Sequence, residues 1–262
     1  MFRLSSLRNV TNQNKYRIPL YRAGRDAYNR VFRPKVHAQR RRMRNFMSPF
    51  VQRGQLVFDI GANRGEYTEM FARMGARVIA VEPNSDLVEL IRARVPGAIV
   101  EQVAAGAEVG EGELWVGPQD GDSTLSPAYL DELRRTVALE MQSVPVQMTT
   151  LDALIERHGM PAFIKIDVEG FEAQVLAGLT SRPPALSFEF HGSLLGELQA
   201  CLAQLIDYTF RISVGYEFEW ATPWSDADEV RRHAERLAKG RSDLFADVYA
   251  VDRERSSGIH FV

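Results

Sequence analysis

A chain of 262 residues with 45% hydrophobic and 25% charged positions has the composition of an ordinary globular protein, with apolar material enough for a sizeable core. Its single cysteine, Cys201, excludes an intrachain disulfide and a thiolate metal site, and suits buried packing in a reducing cytoplasm. The net charge of −2 is unevenly spread: between Met1 and Arg44, 13 Lys or Arg face only Asp26, so this segment carries +12 and the remainder −14.

Residues 1–50 read as a basic, helical N-terminal arm. Leu20, Tyr21, Tyr28, Val31 and Phe32 would line one side of a helix broken at Pro34, and Arg40-Arg41-Arg42-Met43-Arg44 is the densest charge run. Several roles stay open for it: a solvated arm or homo-oligomer contact packed on the acidic body, a contact with an anionic surface through residues 1–44, or anion binding as the main task of a non-catalytic protein. No nucleic-acid-binding motif accompanies the charge, so sequence-specific nucleic-acid recognition is not expected. The apolar runs fall short of the roughly 20 residues of a membrane span, and basic residues punctuate the N-terminus where a signal peptide needs an apolar stretch. A cytoplasmic location is expected.

Residues 51–262 alternate strand and helix, which predicts a mostly parallel seven-stranded α/β sheet covered by helices on both faces. The first strand, Leu56–Ile60, runs into the loop Gly61-Ala62-Asn63-Arg64-Gly65 and a helix that Gly75 stops. The second, Val78–Val81, ends on Glu82, followed by Pro83, Asn84 and a helix over Asp86–Val95. The third is Ile99–Val103. Glycines then break up residues 106–148 into a hairpin with Glu113–Val116 as one arm, a loop Asp120–Leu125 and a helix Pro127–Glu140. Such an insertion is suited to gripping or covering a substrate. Beyond it come a short helix from Thr150, a strand Ala162–Ile166 ending in Asp167, and a helix Glu169–Leu176. A strand Leu186–Phe190 leads into His191, then a helix Leu194–Ile206. The strands Phe210–Val214 and Leu244–Val251 flank a last helix, Asp226–Lys239.

In an open parallel sheet, ligands bind beyond the carboxyl ends of the strands. Those ends carry Asp59 with the Gly61–Gly65 loop, Glu82, Ala104, Asp167 with Glu169, and Glu189 with His191. Glu82, about 20 positions past the loop, is placed to accept hydrogen bonds from ribose hydroxyls. The loop lacks the Lys-Ser/Thr pair of a P-loop, and Asn63 stands where a dinucleotide fingerprint needs its second glycine. A ribose-bearing ligand without a phosphate fits, so S-adenosylmethionine is favoured over NAD. An NAD-dependent oxidoreductase on a similar sheet is the alternative.

The segments Asp59-Ile-Gly-Ala-Asn-Arg-Gly-Glu-Tyr67, Val81-Glu-Pro-Asn84 and Phe163-Ile-Lys-Ile-Asp-Val-Glu-Gly-Phe-Glu172 together resemble the FkbM family of S-adenosylmethionine-dependent methyltransferases. Ser123-Thr-Leu125, Thr150-Leu-Asp152 and Glu189-Phe-His191 are similar to further stations of that family, in the same order. The resemblance covers about residues 54–192. It implies a class I methyltransferase fold and, usually, O-methylation of a hydroxyl on a sugar, glycoconjugate or natural product. It also implies cofactor contacts from Asp59, Gly61, Asn63, Gly65, Tyr67, Glu82, Pro83, Asn84, Val103, Ala104 and Asp167, and acceptor contacts from Ser123, Thr124 and Glu169. Val103 departs from the family's polar residue beside the adenine.

Methyl transfer to oxygen requires the hydroxyl to be held in line with the sulfur–methyl bond and its proton to be removed. Strand periodicity puts Lys165 and Asp167 on one side of their strand, and Glu189 and His191 on one side of theirs. His191 is the candidate general base, with Asp167 and Glu189 orienting it or the acceptor. In an alternative, Asp167, Glu189 and His191 hold a divalent cation that lowers the acceptor pKa. Lys165, mid-strand, must be paired if buried, and Glu189 is one expected partner.

Overall fold

The computed structural model describes residues 34–117, 123–136 and 141–254. The expected helix over Leu20–Phe32, part of the loop before Ser123 and the end of the helix after Pro127 lie outside these residues. Pro34 is the first described residue, and α1 spans Pro34–Met47.

The chain continues as β1 (Leu56–Ile60), α2 (Glu66–Met74), β2 (Arg77–Val81), α3 (Ser85–Arg94) and β3 (Ile99–Glu101). A second region holds β4 (Ala104–Ala105), β5 (Gly110–Val116), β6 (Ser123–Thr124), α4 (Pro127–Thr136) and β7 (Gln142–Thr149). Next come α5 (Leu151–His158), β8 (Phe163–Ile166), α6 (Glu172–Ala177) and β9 (Ala185–His191). The described chain ends with α7 (Leu195–Gln204), β10 (Tyr208–Val214), α8 (Ala227–Ala238) and β11 (Phe245–Asp252).

The main sheet has seven strands in the order β10-β11-β9-β8-β1-β2-β3. β11 runs antiparallel to both neighbours, while β9, β8, β1, β2 and β3 are mutually parallel. This is the class I methyltransferase sheet. Strand order reverses between β1 and β8, and there the carboxyl ends of the strands splay open to leave a crevice.

Alternation along the strands sends side chains to two cores. Phe58, Ile60, Ile164, Ile166 and Phe188 face α5, α6, α7 and α8, whereas Val57, Val78, Phe163 and Tyr249 face α1 and α2. α1 is therefore more than a solvated arm. Its Met43 and Met47, with Phe50 just beyond, are buried against Phe71, Phe163 and Tyr249, and Phe46 stacks 4.4 Å from Trp220. Truncating a fully buried methionine such as Met47 costs about 2–5 kcal/mol, so α1 is anchored as part of the core. The arginines of the run point outward, with Arg41, Arg42 and Arg44 exposed.

The insertion is more ordered than its glycines suggest. β5 pairs with β7 antiparallel over seven residue pairs, and β4 and β6 complete a four-stranded sheet. The expected third strand, Ile99–Val103, is divided: β3 ends at Glu101, and Ala104–Ala105 joins the second sheet instead. That hand-over seats the insertion against the open edge of the crevice. α6 also starts later than expected, at Glu172, because Glu169 and Gly170 both adopt positive φ, 55° and 84°. Among the described residues, no helix is long and apolar enough to cross a membrane.

Candidate active site

The Gly61–Gly65 loop is shaped by close approach. A Cβ on Gly61 would lie 1.8 Å from the Asp167 carbonyl oxygen, and its φ of 74° belongs to glycine. Asn63 takes a left-handed φ of 48°, which asparagine tolerates better than most residues. Its backbone N–H donates to Glu82 Oε2 at 2.8 Å, and the Asn84 N–H donates to Oε1 at 2.9 Å. Glu82 thus ties the loop after β1 to the turn after β2. Burial pushes its carboxyl up to about 7, in spite of those two donors.

Glu82 opens on a cavity of about 190 Å³ at the strand ends. Gly61, Asn63, Pro83, Val103, Ala104, Ser123, Asp167, Glu169 and Glu189 also line it. Asn63 Oδ1 is buried with no hydrogen-bond partner among the described residues. An acceptor atom left orphaned beside a cavity calls for a donor on a ligand. Leu87, Val103 and Leu114 supply an apolar wall.

Other residues of the sequence motifs sit beneath or beside the cavity rather than on its wall. Asp59 is buried under the loop, where Thr68 Oγ1 donates to it at 2.5 Å and burial lifts its carboxyl to about 6. Gly65 packs its backbone against Ile91. Tyr67 covers the Lys165 ammonium, its ring centroid 4.4 Å away. The side chain of Asn84 caps α3 by accepting from the Asp86 N–H. Thr124 is buried and donates its hydroxyl to the Glu169 carbonyl at 2.7 Å, holding Glu169 in its strained conformation.

Lys165 is fully buried, and its partners are Asp167 at 2.7 Å and Asp247 of β11 at 3.9 Å. The expected pairing with Glu189 is not the one made, because Asp167 is the nearer carboxylate on the same side of the strand. Burial alone would neutralise the amine, but the Asp167 and Asp247 charges outweigh it and keep Lys165 charged. In return, Lys165 holds Asp167 below the usual carboxylate range although burial opposes this.

Next to this pair, His191 Nε2 lies 3.3 Å from Glu189 and 3.5 Å from Glu169. Neither contact has full hydrogen-bond geometry. Burial would lower the imidazole pKa, yet the two carboxylates overcome it and push His191 up to about 10. At neutral pH it is an imidazolium. Burial, reinforced by the Asp167 charge, raises Glu189 well above its ordinary value. One ligand atom each from Glu169, Glu189 and His191 fall within 4.8 Å of one another. The set geometrically able to chelate a cation therefore contains Glu169 in place of Asp167, which Lys165 already engages.

A second cavity, of about 310 Å³, adjoins the first and shares Glu169, Glu189 and Tyr216 with it. Tyr129 stands there with its ring 4.8 Å from that of His191. Tyr216 and Asp247 had escaped the sequence reading. Asp247 carried the same signal as Lys165, an ionisable residue inside an apolar strand, whereas Tyr216 lies on an irregular turn with no motif. Of the tryptophans, Trp220 and Trp224 pack against the α1 core, and Trp115 packs under Arg134 at 5.2 Å. A separate cavity of about 220 Å³ lies between α1 and α2, with His37, Arg40, Arg44, Glu69 and Arg94 on its walls and none of the strand-end residues.

The family model for the methyltransferase FkbM domain matches residues 59–235. No curated protein matches the chain. Among solved structures, the chain is similar to a TehB-like SAM-dependent methyltransferase from Corynebacterium glutamicum, at 11% identity over 88% of this chain and 99% of that one, with a TM-score of 0.42. It is also similar to the precorrin-6y C5,15-methyltransferase from Geobacter metallireducens, at 12% identity over 79% and 84% of the two chains and a TM-score of 0.40. The plantazolicin methyltransferase BpumL, solved with SAH, gives 9% identity over 94% and 95% and a TM-score of 0.42.

Proposed function

The chain belongs to the FkbM methyltransferase family and is an S-adenosylmethionine-dependent methyltransferase, and on that premise we propose that it methylates a hydroxyl of a sugar, glycoconjugate or natural product. The observation that carries this reading is the pair of joined cavities. One is lined by Glu82 and Asn63, and the other leads away from the shared carboxylates Glu169 and Glu189.

The residues of the first cavity suit the cofactor. The Glu82 carboxylate has accepting capacity left for two ribose hydroxyls after its two backbone donors. Asn63 Oδ1 offers an acceptor to an ammonium group, and Val103 and Leu87 offer an apolar slot for a flat base. Bound S-adenosylmethionine supplies an electrophilic methyl group on a sulfonium.

The residues at the junction handle the acceptor. Asp167, kept ionised by Lys165, lines the cofactor cavity near the junction, where it accepts a hydrogen bond from an acceptor that reaches in from the second cavity. The proton leaving the hydroxyl goes to a carboxylate of the Glu169–Glu189 pair. Burial, with the Asp167 charge, raises the Glu189 pKa well above its ordinary value, which makes its carboxylate a stronger base than an ordinary one. His191, charged at neutral pH, steadies the two carboxylates and takes the base role only as the cluster redistributes its protons.

Calorimetric titration with S-adenosylhomocysteine tests the cofactor half. Binding to the wild type that is lost in Glu82→Ala supports it, and absence of binding to the wild type contradicts it.

A further inference from the structure

The charges of the acceptor cavity are one-sided. Its lining carries four carboxylates, Glu132, Glu169, Glu189 and Asp243, and among the described residues no Lys or Arg. The one basic group, His191, is already engaged with Glu169 and Glu189. Lys165 is fully buried and pairs with Asp167 and Asp247, so its ammonium is not part of this wall, though its charge is felt at Glu189 and Tyr216. Three aromatic rings, Tyr129, Tyr216 and Phe245, share the lining with the carboxylates. Tyr129 tilts over His191, and Tyr216 sits edge-on to Phe245 with centroids 5.2 Å apart. Tyr216 is 67% exposed, a large ring left at the mouth of a catalytic cavity.

Carboxylates set among aromatic rings select for charge as well as shape. A phosphate or carboxylate entering this space meets more carboxylates than cations, His191 being the one cation of the lining among the described residues and already set between Glu169 and Glu189. A protonated amine meets carboxylates and ring faces, both of which attract it. Apolar sugar faces stack on tyrosine rings without regard to charge, so the rings hold the ring system and the carboxylates sort its substituents.

We propose that the acceptor is an amino sugar or related polyol, carrying a protonated amine beside the hydroxyl that is methylated. The inference rests on the O-methyltransferase reading above and narrows it. The ammonium has no lone pair, so the methyl group goes to oxygen: the O–C bond forms as the S–C bond breaks, and the hydroxyl proton passes to a carboxylate. The products are the methyl ether and S-adenosylhomocysteine, and the amine remains protonated. Glu132 and Asp243, on the wall away from the cofactor cavity, set the preference for positive charge.

The test uses the full chain saturated with S-adenosylhomocysteine and three probes in calorimetry: the glucosamine disaccharide chitobiose, its di-N-acetylated form, and glucose 6-phosphate. Chitobiose is expected to bind at least about tenfold more tightly than either of the others. The double variant Glu132→Gln/Asp243→Asn should lose most of that preference while binding S-adenosylhomocysteine like the wild type, which also shows that it is folded. Equal affinities, tighter binding of the acetylated or phosphorylated probe, or no binding of chitobiose overturns the proposal. Failure of the wild type to bind S-adenosylhomocysteine in the first titration would instead overturn the reading beneath it.

Discussion

Glu82 should make cofactor affinity depend on pH in a way that a single substitution removes. Its carboxyl is 5% exposed and raised from 4.5 to about 7, with burial as the largest cause. Ribose hydroxyls donate to the ionised form. A group with a pKa of about 7 is roughly nine-tenths ionised at about pH 8 and one-tenth ionised at about pH 6, so the apparent Kd for S-adenosylhomocysteine should weaken roughly tenfold between them. Glu82→Gln keeps the shape but removes the charge. Losing a charge-assisted hydrogen bond costs about 1.5–3 kcal/mol, or roughly 10- to 150-fold in Kd, and the pH dependence should vanish with it. In the free protein the sign is opposite. Because the folded state binds the proton more tightly, the stability tied to Glu82 is complete below 4.5 and is lost as pH rises toward about 7. Calorimetry at the two pH values, on both proteins, decides the matter. A pH-independent wild type, or a Glu82→Gln variant with wild-type affinity, would refute the assignment.

Three further outcomes are expected. Lys165→Met leaves Asp167 and Asp247 buried without their cation and should cost about 3–5 kcal/mol in urea denaturation; a loss below about 1 kcal/mol would mean the pair is not load-sharing. Gly61→Ala forces a Cβ to within 1.8 Å of the Asp167 carbonyl oxygen, so it should lower stability by at least about 2 kcal/mol and abolish S-adenosylhomocysteine binding; unchanged binding would show the loop to be less constrained. His191→Ala removes the charge that steadies Glu169 and Glu189, so it should spare cofactor affinity but slow labelling of acceptors in cell extract by about tenfold or more, with labelling by the wild type persisting in excess chelator. Loss of labelling on chelation would give Glu169, Glu189 and His191 to a metal ion instead.

The parts of the site that sequence reveals are those made by neighbours in the chain. The strand, the tight loop and the acid at the next strand end span 27 residues, Leu56 to Glu82, and each feature follows from local geometry. The parts that stay hidden come from distant segments. Asp247 reaches Lys165 because β11 inserts antiparallel next to β9, and no local pattern announces that pairing. The charge on His191 depends on Glu169, whose side chain arrives by way of a left-handed turn pinned by Thr124. Met43 and Met47 of α1, with Phe50 in the turn after it, follow helical spacing, yet the surrounding arginines draw the eye to charge and conceal the stripe. The second sheet was obscured for a similar reason: Gly112 reads as a break, but it makes room for Met148 across the β5–β7 pair.

The central claim is methyl transfer from S-adenosylmethionine to an oxygen. Purified protein incubated with cell extract and S-adenosylmethionine bearing a ¹³C-labelled methyl group tests it most directly. The expected product shows the labelled carbon as a methyl ether by NMR, and the signal is absent with Glu82→Ala. A label found on nitrogen or carbon, or formed equally by the variant, would contradict the account.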